Sequence, residues 1–187
     1  MSVAEDGVEL VHVRTLKMGD DVTAVRHSHS KDPSKLVVAV ATLDATVRVF
    51  FHHSLSFFLQ LYGHKLPVLC MDISDDNSLI ATGSADKTVK IWGLDFGDCH
   101  RSILAHSDSV MALRFVPQTH YFFTCSKDKT VKYFDGDRFE QILSLEGHTS
   151  EVNTLAVAHD GSFVASAGHD RTLRLWKRTD EPVFLEE

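Results

Sequence analysis

The sequence predicts an all-β protein built as a propeller of four-stranded blades. The first observation is a motif, Asp-x-Thr followed by alternating apolar residues and a terminal aromatic residue, that returns at a constant step of 42 residues. Its four copies begin at Asp44, Asp86, Asp128 and Asp170. The second observation is that the apolar residues of each copy alternate at period two, which is typical of a strand with one buried face. A period of about 40–45 residues that holds several short strands corresponds to one propeller blade.

Each repeat contains four short apolar runs, which we expect to be four antiparallel strands. In the second repeat, the first run carries Val68, Met71 and Ile73. The second run follows a polar segment, residues 74–78, whose Ser, Asp and Asn residues favour a turn. The third run is the repeated motif itself, and the fourth lies just before the next repeat, as residues 141–145 do in the third repeat. We therefore expect four blades of four antiparallel strands.

The repeat also predicts the domain organisation, a single repeat region over residues 1–187. Its repeats are residues 19–60, 61–102, 103–144 and 145–187. Residues 1–18 are expected to supply the outer strand of a preceding blade or of the blade that closes the ring, because residues 8–16 alternate. Residues 182–185 compete for the closing position. Since closed propellers have about 4–8 blades, we expect part of a larger propeller of about seven blades, with a closed four-bladed ring as the alternative.

The composition favours an intracellular globular protein. A chain of 187 residues with 43% hydrophobic residues can bury a substantial core. The longest uncharged apolar run, residues 36–42, is far shorter than the roughly 20 residues of a membrane span. The first seven residues include Glu5 and Asp6 and lack the basic and apolar regions of a secretory signal. We therefore expect no membrane partner.

The cysteines argue against disulfides and a zinc site, and the net charge argues against direct binding to nucleic acid. The three cysteines, Cys70, Cys99 and Cys125, are odd in number and lack C-x-x-C spacing, so we expect reduced thiols rather than disulfides or a zinc site. The net charge of −7 disfavours direct binding of a phosphate backbone.

The repeats carry motifs that resemble those of the WD-repeat family. These motifs are a histidine before the first strand, a Ser-x-Asp sequence in a later turn and a terminal tryptophan. The resemblance implies a hydrogen-bond network of His, Ser, Asp and Trp that ties a loop to the strands of each blade. In this sequence the implied network residues are His64, Ser84, Asp86 and Trp92, then His106, Ser126 and Asp128, and finally His148, Asp170 and Trp176.

Three of the four repeats depart from the complete set. Phe134 replaces the tryptophan of the third repeat and has no N–H to donate. Gly168 stands at the serine position of the fourth repeat. The first repeat has Thr42, Asp44 and Phe50 but no glycine-histidine pair before them. We therefore expect the second repeat to hold the complete network.

A recurring set of His, Ser and Asp also invites a catalytic interpretation, because acyl transfer uses such a triad. An active site is normally a single constellation, whereas this one recurs and lacks its hydroxyl where Gly168 stands. No G-x-S-x-G sequence accompanies it. We therefore assign no catalytic residue and interpret the set as structural, since buried polar groups need partners.

Histidines outside the repeated motif are candidate metal ligands, because imidazole is a common one. His52 and His53 are adjacent and point to opposite faces of a strand, and no spacing places a third ligand beside His27 and His29. We interpret all four as exposed polar residues. Cys99 and His100 are interpreted as turn residues. Without a phosphate-binding or dinucleotide motif, we expect no cofactor and no small-molecule substrate.

Positive side chains recur at equivalent positions and suggest two alternatives. They could form a basic ring that meets phosphate or an acidic partner. They could instead lie on a solvated strand face and pair with nearby carboxylates, which we favour. The residues concerned are Arg48, Lys90, Lys132 and Arg174 on the strands and Lys87, Lys129 and Arg171 in the preceding turns.

Three segments resemble a narrower family, the carboxy-terminal propeller of WD repeat-containing protein 3. They are residues 61–74, 91–100 and 173–182. That family is nucleolar and belongs to the small-subunit processome, the particle that assembles on precursor ribosomal RNA. The resemblance implies a non-catalytic protein-interaction scaffold in small ribosomal subunit biogenesis, located in the nucleus and nucleolus. Its implied partners are other proteins of a large ribonucleoprotein, with indirect association with precursor ribosomal RNA and small nucleolar RNA.

Two alternatives to this function stay open from the sequence. One is a WD-repeat adaptor in another assembly, such as a ubiquitin ligase or a signalling complex. The other is an enzyme of propeller form, which would need a polar cluster at the central channel that is not repeated from blade to blade.

Overall fold

The computed structural model describes residues 10–30 and 32–179, and these residues form an all-β propeller, as the sequence predicts. They contain fifteen strands and one short 3-10 helix, Pro33–Lys35. Blade 1 consists of β1 (Val22–His27), β2 (Val37–Thr42), β3 (Val47–Phe51) and β4 (Phe57–Leu61). Blade 2 consists of β5 (Val68–Ile73), β6 (Leu79–Ser84), β7 (Thr88–Gly93) and β8 (Cys99–Leu104). Blade 3 consists of β9 (Val110–Phe115), β10 (Tyr121–Ser126), β11 (Val131–Asp135) and β12 (Glu140–Leu145), and blade 4 of β13 (Val152–Val157), β14 (Phe163–Gly168) and β15 (Leu173–Lys177).

Each blade is an antiparallel sheet whose strands pair in chain order. The first strand of each blade contacts the first strand of the next, from β1 through β5 and β9 to β13. These four strands therefore lie innermost, and β4, β8 and β12 lie at the outer edges. No helix in the described ranges is long and apolar enough to cross a membrane.

Apolar packing between successive blades holds the array together. Alternating residues of the third strand in one blade share an apolar cluster with residues of the first strand in the next blade. Since burying one such side chain contributes about 1.5–3 kcal/mol, each interface stabilises its two blades substantially. The buried residues that share a cluster are Val47 and Val49 with Val68 and Met71, Val89 and Ile91 with Val110 and Leu113, and Val131 with Val152 and Leu155.

The amino-terminal segment differs from the predicted outer strand where it is described. Residues 1–9 lie outside the described residues, and residues 10–18 contain no strand. Leu10, Val11 and Val13 are exposed. Alternation alone does not form a strand, because the backbone N–H and C=O groups also need a neighbouring strand to bond with.

Blade 4 contains three strands in the part of the chain that the structure describes, where the sequence predicts four. The predicted segment 182–185 lies outside the described residues. The predicted repeat boundaries at residues 60, 102 and 144 fall within the last residues of the outer strands β4, β8 and β12.

Candidate functional site

A chain of buried hydrogen bonds joins two strands, the turn between them and a loop of blade 2. His64 lies in the loop between β4 and β5, and its Nδ1 is 3.0 Å from Oδ2 of Asp86 in the β6–β7 turn. On the other side of the ring, Nε2 is 2.8 Å from Thr82 Oγ1. The indole Nε1–H of Trp92 donates to the same oxygen over 2.9 Å. Because Thr82 accepts from the indole, its own proton goes to Nε2, and Nδ1–H of His64 donates to Asp86.

Asp86 is the acceptor at the end of this chain. Its carboxylate also accepts from the backbone N–H groups of Lys65 and Thr88, each over 2.9 Å, and from the Thr88 hydroxyl. Burial alone would raise the pKa of Asp86, but these hydrogen bonds outweigh it and lower the pKa to about 2. Desolvation lowers the pKa of His64 in spite of Asp86. The pair is therefore an ionised carboxylate beside a neutral imidazole.

Ser84 occupies a different place from the one implied by the sequence motif. Its oxygen donates to the carbonyl of Leu66 over 2.8 Å and accepts from the Asp86 N–H over 3.0 Å. Ser84 thus joins the loop to the turn, and Thr82 supplies the hydroxyl between the histidine and the tryptophan. Sequence reasoning missed Thr82, although hydroxyl residues recur at its position with the same 42-residue step, at Thr124 and Ser166.

Blade 3 has the same arrangement without the indole. His106 lies 2.8 Å from Asp128 and 2.8 Å from Thr124. Ser126 donates to the carbonyl of Asp108 and accepts from the Asp128 N–H, as Ser84 does in blade 2. Phe134 stands in place of the tryptophan and stacks on Phe122, with ring centroids 5.3 Å apart.

Blade 4 contains the complete chain despite Gly168. His148 lies 2.8 Å from Asp170 and 2.8 Å from Ser166, and Trp176 donates to Ser166 over 2.9 Å. The hydroxyl between the ring systems comes from Ser166, two residues before Gly168. The glycine therefore removes the bond between loop and turn that Ser84 makes, and leaves the bond to the tryptophan intact.

Of this arrangement, blade 1 has only the hydrogen bonds around the turn between β2 and β3. The Thr42 hydroxyl donates to Asp44 over 2.6 Å, and the Arg48 guanidinium donates to the same carboxylate over 2.9 Å. Burial acts to raise the pKa of Asp44, but the hydrogen bonds hold it well below its usual range. The arginine of blade 1 thus donates to the turn carboxylate, as the histidines do in the other blades.

Comparison with known proteins places the chain in a family. Residues 2–183 match the WDR3 second beta-propeller domain. The chain belongs to this family.

Individual relatives of this WDR3-type propeller match over shorter stretches. A stretch of 65 residues is 55% identical to U3 small nucleolar RNA-associated protein 12 of Saccharomyces cerevisiae, covering 35% of this chain and 6% of that protein. A stretch of 55 residues is 60% identical to WD repeat-containing protein 3 of Mus musculus, covering 29% of this chain and 5% of that protein. Periodic tryptophan protein 2 of Saccharomyces cerevisiae is 37% identical over 89 residues, or 46% of this chain and 9% of its own length. The matched stretches thus span less than a tenth of these relatives.

Three of the recurring cations of the WDR3-type propeller bond to groups of their own repeats. Lys90 donates to the Ser102 hydroxyl over 2.9 Å, and Lys132 donates to the carbonyl of Ala105 over 2.7 Å. Arg48 pairs with Asp44. The guanidinium of Arg174 lies beside Gly147, close enough that a Cβ at that glycine would touch it.

Two of the candidate metal ligands meet in blade 1. His27 Nε2 lies 2.8 Å from His52 Nδ1, a contact that the sequence pattern did not indicate because it associated His27 with His29. Across residues 10–30 and 32–179, no group of three His, Cys, Asp or Glu side chains converges as a metal site would require.

The structure has the three cysteines as free thiols. Cys70 and Cys125 are buried, and burial raises the pKa of Cys125 to about 12. Cys99 is exposed, and partial desolvation raises the pKa of its thiol as well. None of the three therefore has the lowered pKa that makes a cysteine nucleophilic.

Proposed function

We propose that this chain is a non-catalytic protein-interaction scaffold of the small-subunit processome and acts in small ribosomal subunit biogenesis in the nucleolus. The observation that carries the proposal is the match of residues 2–183 to the WDR3 second beta-propeller domain. A relative that is 55% identical over 65 residues is named for its association with U3 small nucleolar RNA, which supports the same assembly.

The geometry of the His-Asp pairs supports a role without catalysis. The same pair occurs in blades 2, 3 and 4, and each imidazole nitrogen has an internal partner. The imidazole side chains are almost fully buried, with 2% or less of their surface exposed. A triad needs a hydroxyl that substrate can reach, whereas the Thr82 and Thr124 hydroxyls are buried beneath the loops. These pairs stabilise the blades.

Charge supports binding through proteins rather than directly to RNA. The chain carries a net charge of −7, which opposes contact with a phosphate backbone. The strand cations Arg48, Lys90 and Lys132 already have partners in their own repeats. Association with precursor ribosomal RNA and U3 small nucleolar RNA would then pass through neighbouring proteins.

Affinity purification of the tagged full-length gene product from cells tests the proposal. We expect the eluate to contain processome proteins together with U3 small nucleolar RNA and precursor ribosomal RNA. A salt wash that removes those proteins should remove the RNA with them. The control is the same tag on an unrelated propeller.

An abundant and folded protein that recovers neither RNA would contradict the proposal. Its remaining partners would then point to a WD-repeat adaptor in another assembly, such as a ubiquitin ligase or a signalling complex. RNA that stays bound after all other proteins are washed away would contradict indirect association.

A further inference from the structure

Two loops and two turns of blades 2 and 3 form one continuous surface, which we call the loop face. Its segments are the loops 62–67 and 105–109 and the turns 85–87 and 127–130. Backbone hydrogen bonds join neighbouring segments in series, from Ala85 N–H to the carbonyl of Pro67, from His106 N–H to that of Lys87 and from Lys127 N–H to that of Ser109. Blades 2 and 3 each have a described blade on both sides, so the environment of this surface is described throughout.

Two of the carboxylates of the loop face are turned inward. The side chains of Asp86 and Asp128 are each only 7% exposed. Each carboxylate accepts hydrogen bonds from a histidine and from a backbone N–H group of the loop before it. The exposed carboxyl residue of the loop face is Asp108. Most of the negative charge of this surface is therefore held beneath it.

The lysines of the loop face are turned outward. Lys65, Lys87 and Lys129 are exposed, and none of them forms an ion pair with a described carboxylate. Lys127 lies 3.8 Å from Glu151. The charge that the loop face presents to solvent is therefore positive, although the whole chain carries −7. A surface of this kind attracts negatively charged partners.

Exposed apolar side chains lie among these lysines. Tyr62 and Leu66, which are 77% and 49% exposed, belong to the same loop as Lys65. Leu104 is 75% exposed at the end of β8, where it pairs with the residue that follows Lys87. Single exposed apolar residues are common, whereas apolar side chains grouped within a polar rim are typical of a protein-binding site.

We propose that the loop face binds an acidic segment of a partner protein, in which carboxylate side chains alternate with apolar ones. The inference rests on the proposed function as a protein-interaction scaffold and names the chemistry of one partner. The carboxylates pair with the three free lysines, and the apolar side chains pack on Tyr62, Leu66 and Leu104. Nucleic acid fits less well, because leucines do not stack on bases as aromatic residues do and three lysines neutralise few phosphates.

The test is binding of a fluorescent peptide of alternating glutamate and leucine to the full-length gene product, measured by fluorescence anisotropy. The combined variant Lys65→Glu, Lys87→Glu and Lys129→Glu reverses the charge of the loop face. We expect it to weaken binding by about tenfold, because three exposed ion pairs are lost. Added salt should weaken binding to the wild type, because it screens the same pairs.

A matched control reverses three exposed cations outside the loop face, with Lys17→Glu, Arg101→Glu and Arg138→Glu. It has the same net charge as the loop-face variant and should bind the peptide as the wild type does. Tyr62→Ser with Leu104→Ser tests the apolar contacts. This pair should weaken binding of the glutamate–leucine peptide and leave binding of a glutamate–serine peptide unchanged. Circular dichroism checks that each variant folds, and Lys→Gln replaces a Lys→Glu change that unfolds the protein.

Two results would overturn the proposal. The first is equal affinity of the wild type and the loop-face variant for the glutamate–leucine peptide, or no binding to either. The second is tighter binding of poly-uridine RNA than of the peptide, lost in the loop-face variant, which would show that this surface binds nucleic acid. Neither measurement needs the processome. A wild-type eluate without U3 small nucleolar RNA would therefore contradict the proposed function and leave the peptide result standing.

Discussion

At the scale of single residues, Thr82 supports two larger side chains. Its oxygen accepts from Trp92 and its proton bonds His64, and all three side chains are buried. A buried polar group that loses its partner costs about 1–3 kcal/mol, so one small hydroxyl has a large effect on the stability of blade 2.

Replacing Thr82 with Val tests this role, because valine has nearly the same shape and no hydroxyl. We expect the free energy of unfolding to fall by about 2–4 kcal/mol, since His64 Nε2 and the Trp92 N–H both lose their partner. Urea denaturation measures the change. Thr124→Val is the matched variant of blade 3, where Phe134 makes no such bond, and it should cost less. Equal losses for the two variants would show that the indole bond contributes nothing.

The misplaced hydroxyl shows what the sequence could and could not predict at this scale. Thr82 and Ser84 lie two residues apart on β6, so their side chains share one face of the sheet. The loop that carries His64 contacts both hydroxyls, and the conformation of this loop determines which of them bonds to the imidazole. The pairing of His64 with Asp86 is the one that the resemblance to the WD-repeat family implies. The choice of hydroxyl depends on a loop conformation that the motif does not encode.

At the scale of elements, the turn after β14 and the loop before β13 lie closer together than the corresponding turn and loop of blades 2 and 3. The backbone bond from the turn after β14 to the loop before β13, His169 N–H to Glu151, is 2.8 Å long. The corresponding bonds of blades 2 and 3 are both 3.1 Å. Gly168 permits this approach, because a Cβ there would collide with the Glu151 carbonyl.

Gly168→Ser restores the serine of the family motif and should nevertheless destabilise the protein. The new Cβ would push the Glu151 carbonyl away, and we expect a loss of about 1–3 kcal/mol, as for other overpacked sites. Thermal unfolding measures it. Gly19→Ser is the control, since a Cβ at Gly19 meets open space. A rise in melting temperature for Gly168→Ser would show that the motif outweighs the local packing.

Turns of blades 2 and 3 also meet through a histidine. His120 Nε2 lies 3.0 Å from Asp76 of blade 2, and Nδ1 lies 2.6 Å from Asp137 of its own blade. Burial acts to lower the pKa of His120, but the two carboxylates outweigh it and raise the pKa above its usual value. The imidazole, which is positively charged below this raised pKa, therefore joins the two blades.

This contact should stabilise the protein more in mild acid than in alkali. Because the pKa of His120 is raised on folding, its contribution is fully present below the unfolded value of about 6.5 and is lost as the pH rises through the folded value. We expect His120→Gln to cost more stability at about pH 6 than at about pH 9. Urea denaturation at both pH values tests this, with the exposed His159→Gln as control. An equal cost at both values would exclude a charged contact.

At the scale of the whole molecule, the blade architecture was predictable because each blade repeats the same strand pattern at a constant step. The structure at the two ends of the array was not predictable in this way. Residues 10–18 alternate as a strand would, yet no neighbour pairs with them where they are described. Val22 and Leu173 have the same pattern as buried residues and are exposed, because burial depends on the next blade rather than on the sequence around them.

The carboxylates of the turns make the whole array sensitive to acid. Burial acts to raise the pKa of Asp44, Asp76, Asp86, Asp128 and Asp170, but hydrogen bonds outweigh it and lower all five. A carboxyl whose pKa is lowered on folding stabilises the protein above its unfolded pKa and loses that contribution as the pH falls. Lowering of the His64 pKa acts in the same direction, beginning below about pH 6.5.

We therefore expect the free energy of unfolding to fall steeply between about pH 4 and pH 2. The fall should thus lie below the isoelectric point calculated from the sequence, about 5.9, where the net charge is zero. Urea denaturation at a series of pH values measures the slope. Asp86→Asn removes one of the five carboxylates and should make the fall shallower, with a lower plateau near neutral pH. A stability that stays constant from about pH 5 to pH 2 would show that these turn carboxylates are no better stabilised in the folded chain than in the unfolded one.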